Sequence, residues 1–382
     1  AATSQRPQAV LDAEEEFYKE HNANPLRGNY PLSIEATQMY EDARKAVRDF
    51  IGAKSVREII FTRNTTESIN LVAYSYGLSH VKAGDEILVS IMEHHSNMLP
   101  WRMVAQQTGA VVKYIECAVD GSISDEAIDA AVTEKTKIVA MAEVSNVLGR
   151  LNPIAKAISA AHKVGAVAVI DAAQSAPHMA IDVQKMDADF LAFSGHKMLG
   201  PMGIGVLYGK KELLEAMPPF LSGGEMISFV SRDGQEYAPL PHKFEAGTVN
   251  AAGAAGLHAA IEYINSIGFE VIEAREAALT KLAFDAMQKI PGVHIIGGKT
   301  AEEHKGILTF TVEGVHPHDI AAILDADGVN VRAGNHCAQP LLDHLCTGAT
   351  ARASLAFYNS AADVERFINS LSTIRERMGY GR

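Results

Sequence analysis

The alternation of short apolar runs with amphipathic segments constrains the fold of this chain more than any other feature of the sequence. Helical spacing of apolar residues separates many of the runs, for example at residues 68–76, 97–108 and 154–164. Apolar strands that alternate with helices are typical of a parallel sheet covered by helices on both faces. We therefore predict an α/β fold with a mainly parallel seven-stranded sheet, whose functional residues follow the carboxyl ends of its strands. The predicted strands are residues 58–62, 86–90, 111–115, 137–142, 166–171, 190–194 and 205–208.

The pattern changes after a helical segment at residues 253–267, and we place the domain boundary near Tyr263, towards the end of that segment. The sequence beyond it predicts a smaller α+β domain. We therefore expect a large α/β domain over residues 1–262 and a small C-terminal domain over residues 263–382. The predicted helices of the small domain are residues 271–290, 319–325 and 361–378, and its predicted strands are residues 306–312 and 329–332.

Composition narrows the possible functions. The chain has 34 Lys and Arg against 46 Asp and Glu, a net charge of −12, which disfavours binding to nucleic acids or to anionic membranes. No apolar stretch reaches the roughly 18 residues of a membrane span. Three cysteines are too few for a disulfide framework or a cysteine metal site, so we expect no metal and a reducing, cytoplasmic setting. The first residues lack a signal peptide and an initiator Met, so we expect a processed or cut start.

Two polar clusters follow predicted strands and each allows two interpretations. Thr65 and Thr66 begin a predicted helix, where hydroxyl and backbone N–H groups can bind an anion, but this cluster taken alone favours an ordinary helix cap at either residue. His94 and His95 follow the strand at 86–90 and point to opposite sides of an extended chain, which disfavours a shared metal. One of them can stack on an aromatic ligand, or both can be structural.

Two further residues gain significance together. Asp171 ends an apolar strand, where a carboxylate must be paired, either with a cofactor's ring nitrogen or as a helix cap. Lys197 follows the strand at 190–194, where a desolvated amine can form a Schiff base, although a lone lysine is usually a surface residue. Pyridoxal 5'-phosphate requires an amine, a carboxylate and an anion site, and one sheet edge supplies all three here.

The predicted small domain adds a cysteine and an arginine. Cys337 lies in a loop rich in Gly, Asn and His, where a nearby cation would favour the thiolate. Cys117 and Cys346 are interpreted as small buried hydrophobic residues. Arg352 suits a substrate carboxylate, or else a surface salt bridge.

Seven sequence strings together resemble the class V aminotransferase superfamily of pyridoxal-phosphate enzymes, fold type I. Within it, the chain most closely resembles the group II, SufS-type cysteine desulfurases and the related selenocysteine lyases, over nearly its whole length. The strings are Thr65-Thr66-Glu67, Glu93-His94-His95-Ser96-Asn97, the segment 144–149, Asp171-Ala172-Ala173-Gln174, Ser194-Gly195-His196-Lys197, the segment 244–248 and the loop 332–338.

The resemblance implies a role for each matching residue. Lys197 would carry pyridoxal phosphate as an internal aldimine and move the Cα proton, Asp171 would pair with the ring nitrogen, and Cys337 would accept sulfur. The other implied contacts are Gln174 to the ring hydroxyl, His94 stacked on the ring, Thr65, Thr66, Ser194 and His196 to the phosphate, Thr248 to the phosphate of a neighbouring subunit, and Asn146, Arg352 and Arg332 to the substrate. His336 or Arg332 would favour the Cys337 thiolate.

The implied activity is a cysteine desulfurase that converts L-cysteine to L-alanine. It would work as a cytoplasmic homodimer and pass a Cys337 persulfide to an acceptor of the SufE or SufU type for iron–sulfur cluster assembly. Selenocysteine lyase activity on L-selenocysteine, transamination and a catalytically silent homologue are the alternatives. The sequence departs from the family pattern at Leu26 and Tyr30, where histidines are common, at Asn64 for Gly and at Asn335 for His, and it lacks the stretch that usually precedes Ala1.

Overall fold

The strands of this protein form one large sheet, one small sheet and a hairpin. The computed structural model describes residues 2–380, and within them the large sheet has seven strands in the order β1-β7-β6-β5-β4-β2-β3. Its strands are β1 Ile59–Thr62, β2 Glu86–Ser90, β3 Val111–Ile115, β4 Thr136–Ala142, β5 Val167–Asp171, β6 Phe190–Ser194 and β7 Gly205–Gly209. The prediction of seven strands in a mainly parallel sheet is confirmed, and β7 alone among these seven runs antiparallel to its neighbours β1 and β6.

Helices cover both faces of this sheet, because its strands bury side chains in both directions. In β6, Leu191 and Phe193 pack into one core cluster, whereas Phe190 and Ala192 pack into the other. The helices up to residue 267 are α1 Gln8–Glu20, α2 Pro31–Phe50, α3 Thr65–Val72, α4 Leu78–His80, α5 Leu99–Thr108, α6 Asp125–Ala131, α7 Ile154–Lys163, α8 Val183–Met186, α9 Lys211–Ala216 and α10 Ala251–Ile267. A π-helical turn, Ala73–Gly77, joins α3 to α4.

The C-terminal part has its own core around a four-stranded antiparallel sheet in the order β10-β11-β13-β12. Its strands are β10 Val293–Ile295, β11 Ile307–Val312, β12 Arg332–Gly334 and β13 Thr350–Ser354, and its helices are α11 Phe269–Met287, α12 Pro317–Ala326, α13 Gln339–His344 and α14 Ala361–Arg377. The predicted strand at 329–332 was misplaced, because only Arg332 of that segment pairs with β13. The predictions missed β10, β13 and the hairpin of β8 Ile227–Val230 with β9 Gln235–Tyr237.

The predicted domain boundary falls within the continuous helix α10, which packs against α1 and α2 of the large domain. The division at 262/263 therefore stays a prediction. Among residues 2–380, no helix is long and apolar enough to cross a membrane.

Candidate active site

A cavity of about 250 Å³ lies at the carboxyl ends of the large sheet's parallel strands, as the strand pattern predicts. Residues that follow β2, β4, β5 and β6 reach it, and two arginines reach it from the small sheet. Its lining residues are Ala2, Asn64, Thr65, Thr66, His94, Ser96, Ala142, Val144, Asn146, Asp171, Ala173, Gln174, Ser194, His196, Lys197, Arg332 and Arg352.

An amine and a carboxyl group meet inside this cavity. Asp171 is the last residue of β5, is 4% exposed and accepts a hydrogen bond of 2.9 Å from the Ala173 N–H. Burial raises the pKa of Asp171, and the positive charge of Lys197 opposes that rise. Burial likewise lowers the pKa of Lys197, while Asp171 opposes that shift. The cavity therefore weakens the preference of each group for its charged form, and each compensates for the other's burial.

Gln174, three residues after Asp171, presents a buried acceptor to the same cavity. Its side chain is 5% exposed, and its Oε1 has no hydrogen-bond partner among residues 2–380. A buried polar atom without a partner is costly, so this oxygen is available to a ligand that donates a hydrogen bond.

The N-terminus of α3 forms a group of hydrogen-bond donors on the opposite side of β6. Asn64 caps this helix by accepting the Glu67 N–H at 3.0 Å, so the cap is neither Thr65 nor Thr66. Thr65 and Ser194 lie side by side, with their hydroxyl oxygens 2.6 Å apart. A Cβ atom at Gly205 would lie 2.5 Å from Asn64 Cα, so a glycine in β7 lets the helix start this close to the sheet.

The two adjacent histidines separate as the sequence suggests. His94 lines the cavity, and its Nδ1 lies 2.8 Å from the Ser96 hydroxyl. Burial and the positive charges of Lys197, His95, Arg332 and Arg352 lower the pKa of His94 to about 4, so its ring is neutral near pH 7. The His95 side chain does not line this cavity. The backbone N–H of His95 donates a hydrogen bond to the backbone carbonyl of Cys337.

Two arginines on adjacent strands of the small sheet both line the cavity. Arg332 of β12 and Arg352 of β13 are paired in register. Burial, followed by the charge of Arg332, lowers the pKa of Arg352 to about 10. Arg352 donates to the Asn146 carbonyl at 2.7 Å, while its Nε has no partner within the described residues. Like charges opposite each other are unfavourable, so this pair favours an anionic ligand.

Cys337 lies beside the cavity rather than in its lining. Arg332 donates a hydrogen bond of 3.5 Å to the Cys337 sulfur, and both Cys337 and His336 have positive φ angles. Burial, with the charges of Arg352 and Arg332, lowers the pKa of His336 to about 4, and its Nε2 is 2.9 Å from the Thr350 hydroxyl. Of the two cations suggested beside the thiol, Arg332 contacts the sulfur, whereas the lowered pKa of His336 leaves its ring neutral near pH 7.

The segment after Cys337 is fixed to the large domain. Ala338, Leu341 and Leu342 are buried in the large domain's core, although β12 and β13 on either side belong to the small sheet. His344 of α13 lies 2.7 Å from the Cys117 carbonyl. The segment that follows the thiol is therefore held by the core that packs on the large sheet.

The structure does not bring every predicted residue into this cavity. Thr248 is exposed and lines a separate cavity with Phe61, Phe244 and Asn250. Cys117 is buried as predicted, but the prediction for Cys346 is wrong, because Cys346 is exposed in a turn at positive φ. No group of metal-ligating side chains occurs in the part of the chain that the structure describes.

Sequence reasoning missed the N-terminal segment as a wall of the cavity. Ala2 lines it, and Ser4 is buried with its N–H and hydroxyl both bonded to the His196 carbonyl, at 3.0 and 3.1 Å. The Ser4 hydroxyl also accepts the Leu199 N–H, so it brackets Lys197. No local pattern announces a contact across more than 190 residues, so only the folded chain reveals it.

Comparisons with known proteins agree on one family. The sequence pattern of the class-V aminotransferase family matches residues 1–367. A protein named probable cysteine desulfurase from Halalkalibacterium halodurans is 50% identical over 380 residues, covering 100% of this chain and 93% of that protein. The apo structure of a cysteine desulfurase from Thermococcus onnurineus is 43% identical, with a TM-score of 0.95 over 98% of this chain and 93% of that one. The cysteine desulfurase CsdA from Escherichia coli is 42% identical, with a TM-score of 0.92 and the same coverage.

Proposed function

This chain belongs to the class-V aminotransferase family, and we propose that it is a pyridoxal-phosphate-dependent cysteine desulfurase that carries sulfur on Cys337. The net reaction joins the Cys337 thiol and L-cysteine to give a Cys337 persulfide and L-alanine. One sulfur atom moves, and the Cα of the product keeps its amine. The observation that carries the proposal is the meeting of Lys197, Asp171 and the Arg332–Arg352 pair in one cavity.

The residues present fit pyridoxal phosphate. The unpartnered Gln174 Oε1 suits the ring hydroxyl, and the buried Asp171 carboxyl suits the protonated ring nitrogen. Thr65, Thr66, Ser194 and His196 lie where the N-terminus of α3 favours the phosphate. The neutral ring of His94 suits stacking on the cofactor ring.

Lys197 and Asp171 divide the proton and charge handling. Pyridoxal phosphate, when bound, supplies an aldehyde for amines and a ring that stabilises negative charge developing at the substrate Cα. Because burial lowers its pKa, Lys197 Nζ loses its proton more readily than a surface lysine, which favours its binding to the cofactor and its later uptake of the Cα proton. The Asp171 carboxyl group would lie at the ring nitrogen, where its ionised form favours the protonated ring.

The arginines and Asn146 orient the substrate. Arg352 Nε has no other partner among residues 2–380 and suits one oxygen of the L-cysteine carboxylate. Arg332 lies between this position and Cys337, since it lines the cavity and also donates to the Cys337 sulfur. This arrangement directs the thiolate of Cys337 towards the substrate sulfur. A bond forms between the two sulfur atoms as the substrate carbon–sulfur bond breaks, and the electron pair of the broken bond stays on the carbon, which takes up a proton to become the methyl group of alanine.

The proposal includes partners. We assign the protein as a homodimer in which Thr248 of each chain reaches the cofactor phosphate of the other. The exposure of Thr248 and its place outside the cavity lining of its own chain support this assignment. The persulfide then passes to a SufE- or SufU-type acceptor for iron–sulfur cluster assembly. The three cysteines of this chain form no disulfide, which fits a reducing cytoplasm.

The test is product analysis with the purified protein, L-cysteine and a reductant. We expect alanine and sulfide in equal amounts, together with the visible absorption of bound cofactor. Lys197→Ala should lose the absorption and the activity. Cys337→Ala should lose cysteine turnover, whereas the matched control Cys346→Ala should retain it.

Other products would overturn the proposal in distinct ways. Pyruvate in place of alanine would indicate transamination, and a colourless protein would indicate a silent homologue. Cysteine turnover that survives Cys337→Ala would exclude the persulfide route. If that variant still cleaves selenocysteine while cysteine turnover disappears, the cofactor assignment stands and the thiol is specific to sulfur transfer.

A further inference from the structure

A fully buried carboxyl group that the proposed mechanism does not use directly precedes His94. Glu93 is 0% exposed, and its Oε1 accepts hydrogen bonds from the Ser90 hydroxyl at 2.5 Å and the Ala142 N–H at 2.9 Å. Its Oε2 accepts from the Asn97 side-chain amide at 2.6 Å. These contacts reach residues on both sides of His94 in the chain and the end of the neighbouring strand β4.

The orientation of Asn97 is fixed independently of Glu93. The Trp101 indole N–H donates to Asn97 Oδ1 at 3.1 Å, and an indole nitrogen can only donate. The amide of Asn97 must therefore turn its NH₂ group to Glu93. The Ala142 N–H is likewise a donor in every state of the protein. Both side-chain oxygens of residue 93 must therefore accept a hydrogen bond, Oε1 from Ala142 and Oε2 from Asn97.

This network closes the turn that carries His94 and fastens it to the sheet. Ser90 ends β2, Ala142 ends β4, and β4 pairs with β5 so that Ala142 lies opposite Asp171. The His94 ring is in turn held by Ser96 within the same turn. Glu93 thus links the turn that carries His94 to the strand end that lies opposite Asp171.

We propose that Glu93, acting with Asn97, is a positioning residue that holds His94 at its stacking position over the cofactor ring. Glu93 itself touches neither cofactor nor substrate, since it is absent from the cavity lining. The inference rests on the proposed function, because it needs a cofactor ring beneath His94.

A pair of variants separates the hydrogen-bond pattern from simple packing. Glu93→Gln must place an NH₂ group against either the Ala142 N–H or the Asn97 amide, and both are donors. The double variant Glu93→Gln/Asn97→Asp restores every bond, since the carboxylate introduced at position 97 accepts from both the new amide at position 93 and the Trp101 indole. It also keeps one carboxyl group in the network.

We expect Glu93→Gln to lower kcat for alanine formation by about tenfold or more, since a misplacement of about 1 Å costs on the order of 100-fold. It should also change the visible circular dichroism of the bound cofactor, which reports ring orientation independently of turnover. The double variant should recover kcat to within about threefold and restore the native spectrum.

Glu58→Gln is the matched control, because Glu58 is also buried and also accepts backbone N–H bonds, from Lys54 and Ser55, but lies away from the cavity. It should lower stability without changing the cofactor spectrum. A native spectrum and turnover in Glu93→Gln would overturn the inference, as would a folded double variant with the displaced spectrum. If Glu93→Gln does not fold, the spectrum of the double variant decides. Wild-type protein that forms no alanine would instead refute the proposed function.

Discussion

Arg332 joins the substrate cavity to the thiol, and its surroundings explain why an arginine stands there. It lies opposite Arg352 on the adjacent antiparallel strand and donates a hydrogen bond to the sulfur of Cys337. A second cation opposite it is unfavourable in the empty site, but two cations together attract both a substrate carboxylate and a thiolate.

Replacing Arg332 with Gln should therefore slow alkylation of Cys337 by iodoacetamide by several-fold near neutral pH, because the thiolate is the reactive form and loses its neighbouring cation. Peptide mass spectrometry gives the rate at each cysteine. The exposed Cys346 provides an internal reference whose rate should not change. An unchanged Cys337 rate would show that Arg332 does not act on the thiol.

His336 predicts a pH dependence of stability. Folding lowers its pKa from 6.5 to about 4, so the unfolded chain takes up a proton first as the pH falls. Its contribution is thus fully present above about pH 6.5 and is lost progressively down to about pH 4, by at most about 3 kcal/mol. Urea unfolding of the apoenzyme should show a smaller loss over this range in His336→Gln than in the wild type. Parallel curves would contradict the shifted pKa.

For individual residues, the sequence predicted the residue types at the strand ends but not their interaction partners. Asp171 and Lys197 were recognisable because each follows an apolar strand, where a charged group requires a counterpart. The pairing of Arg332 with Arg352 depends on strand register. It could not be predicted, because the sequence around β12 and β13 gives no alternation that fixes the pairing.

Among the elements, the strands of the large sheet were predictable and those of the small sheet were less so. Buried strands are rich in apolar residues, and the fully buried β2 and β6 matched their predicted bounds, as did the half-exposed edge strand β3. β13 has the sequence Thr-Ala-Arg-Ala-Ser, in which Thr350 is the one β-branched residue and no residue is aromatic, so little in it marks a strand. Its extended conformation comes from pairing with β11 and β12, which is tertiary information.

A buried ion pair shows how α2 and β1 anchor the segment that carries Thr248. Arg44 of α2 is fully buried and bonds both oxygens of Glu245, at 2.7 and 2.8 Å. Glu245 also accepts the Phe61 N–H of β1 and the Tyr40 hydroxyl. Nothing in the local sequence predicts a contact across 201 residues.

Glu245→Gln should lower the free energy of unfolding by about 3 kcal/mol, because it leaves the buried Arg44 charge poorly compensated. Urea unfolding measures the change. Glu41→Gln removes a second, partly exposed carboxylate from the same arginine and should cost no more than about 1 kcal/mol. Equal losses in the two variants would contradict a dominant role for burial.

For the whole molecule, the proposed homodimer explains why a residue predicted to bind phosphate lies outside the cavity of its own chain. Sedimentation should show a dimer. Thr248→Ala should weaken cofactor binding by several-fold without changing the sedimentation coefficient, because it removes one hydrogen bond to the phosphate of the second chain. A monomeric protein, or a Thr248→Ala variant that binds the cofactor as tightly as the wild type, would exclude this arrangement.

The path of the chain between β12 and β13 has a consequence for evolution and engineering. The turn that carries Cys337 interrupts the small sheet, yet its following helix is seated in the core of the other domain. If the C-terminal part were exchanged with that of a relative, the incoming helix would have to pack against a core that it did not evolve with. Chimeras cut on either side of residues 335–345, leaving that stretch with its original host, should be the ones that keep the thiol within reach of its substrate.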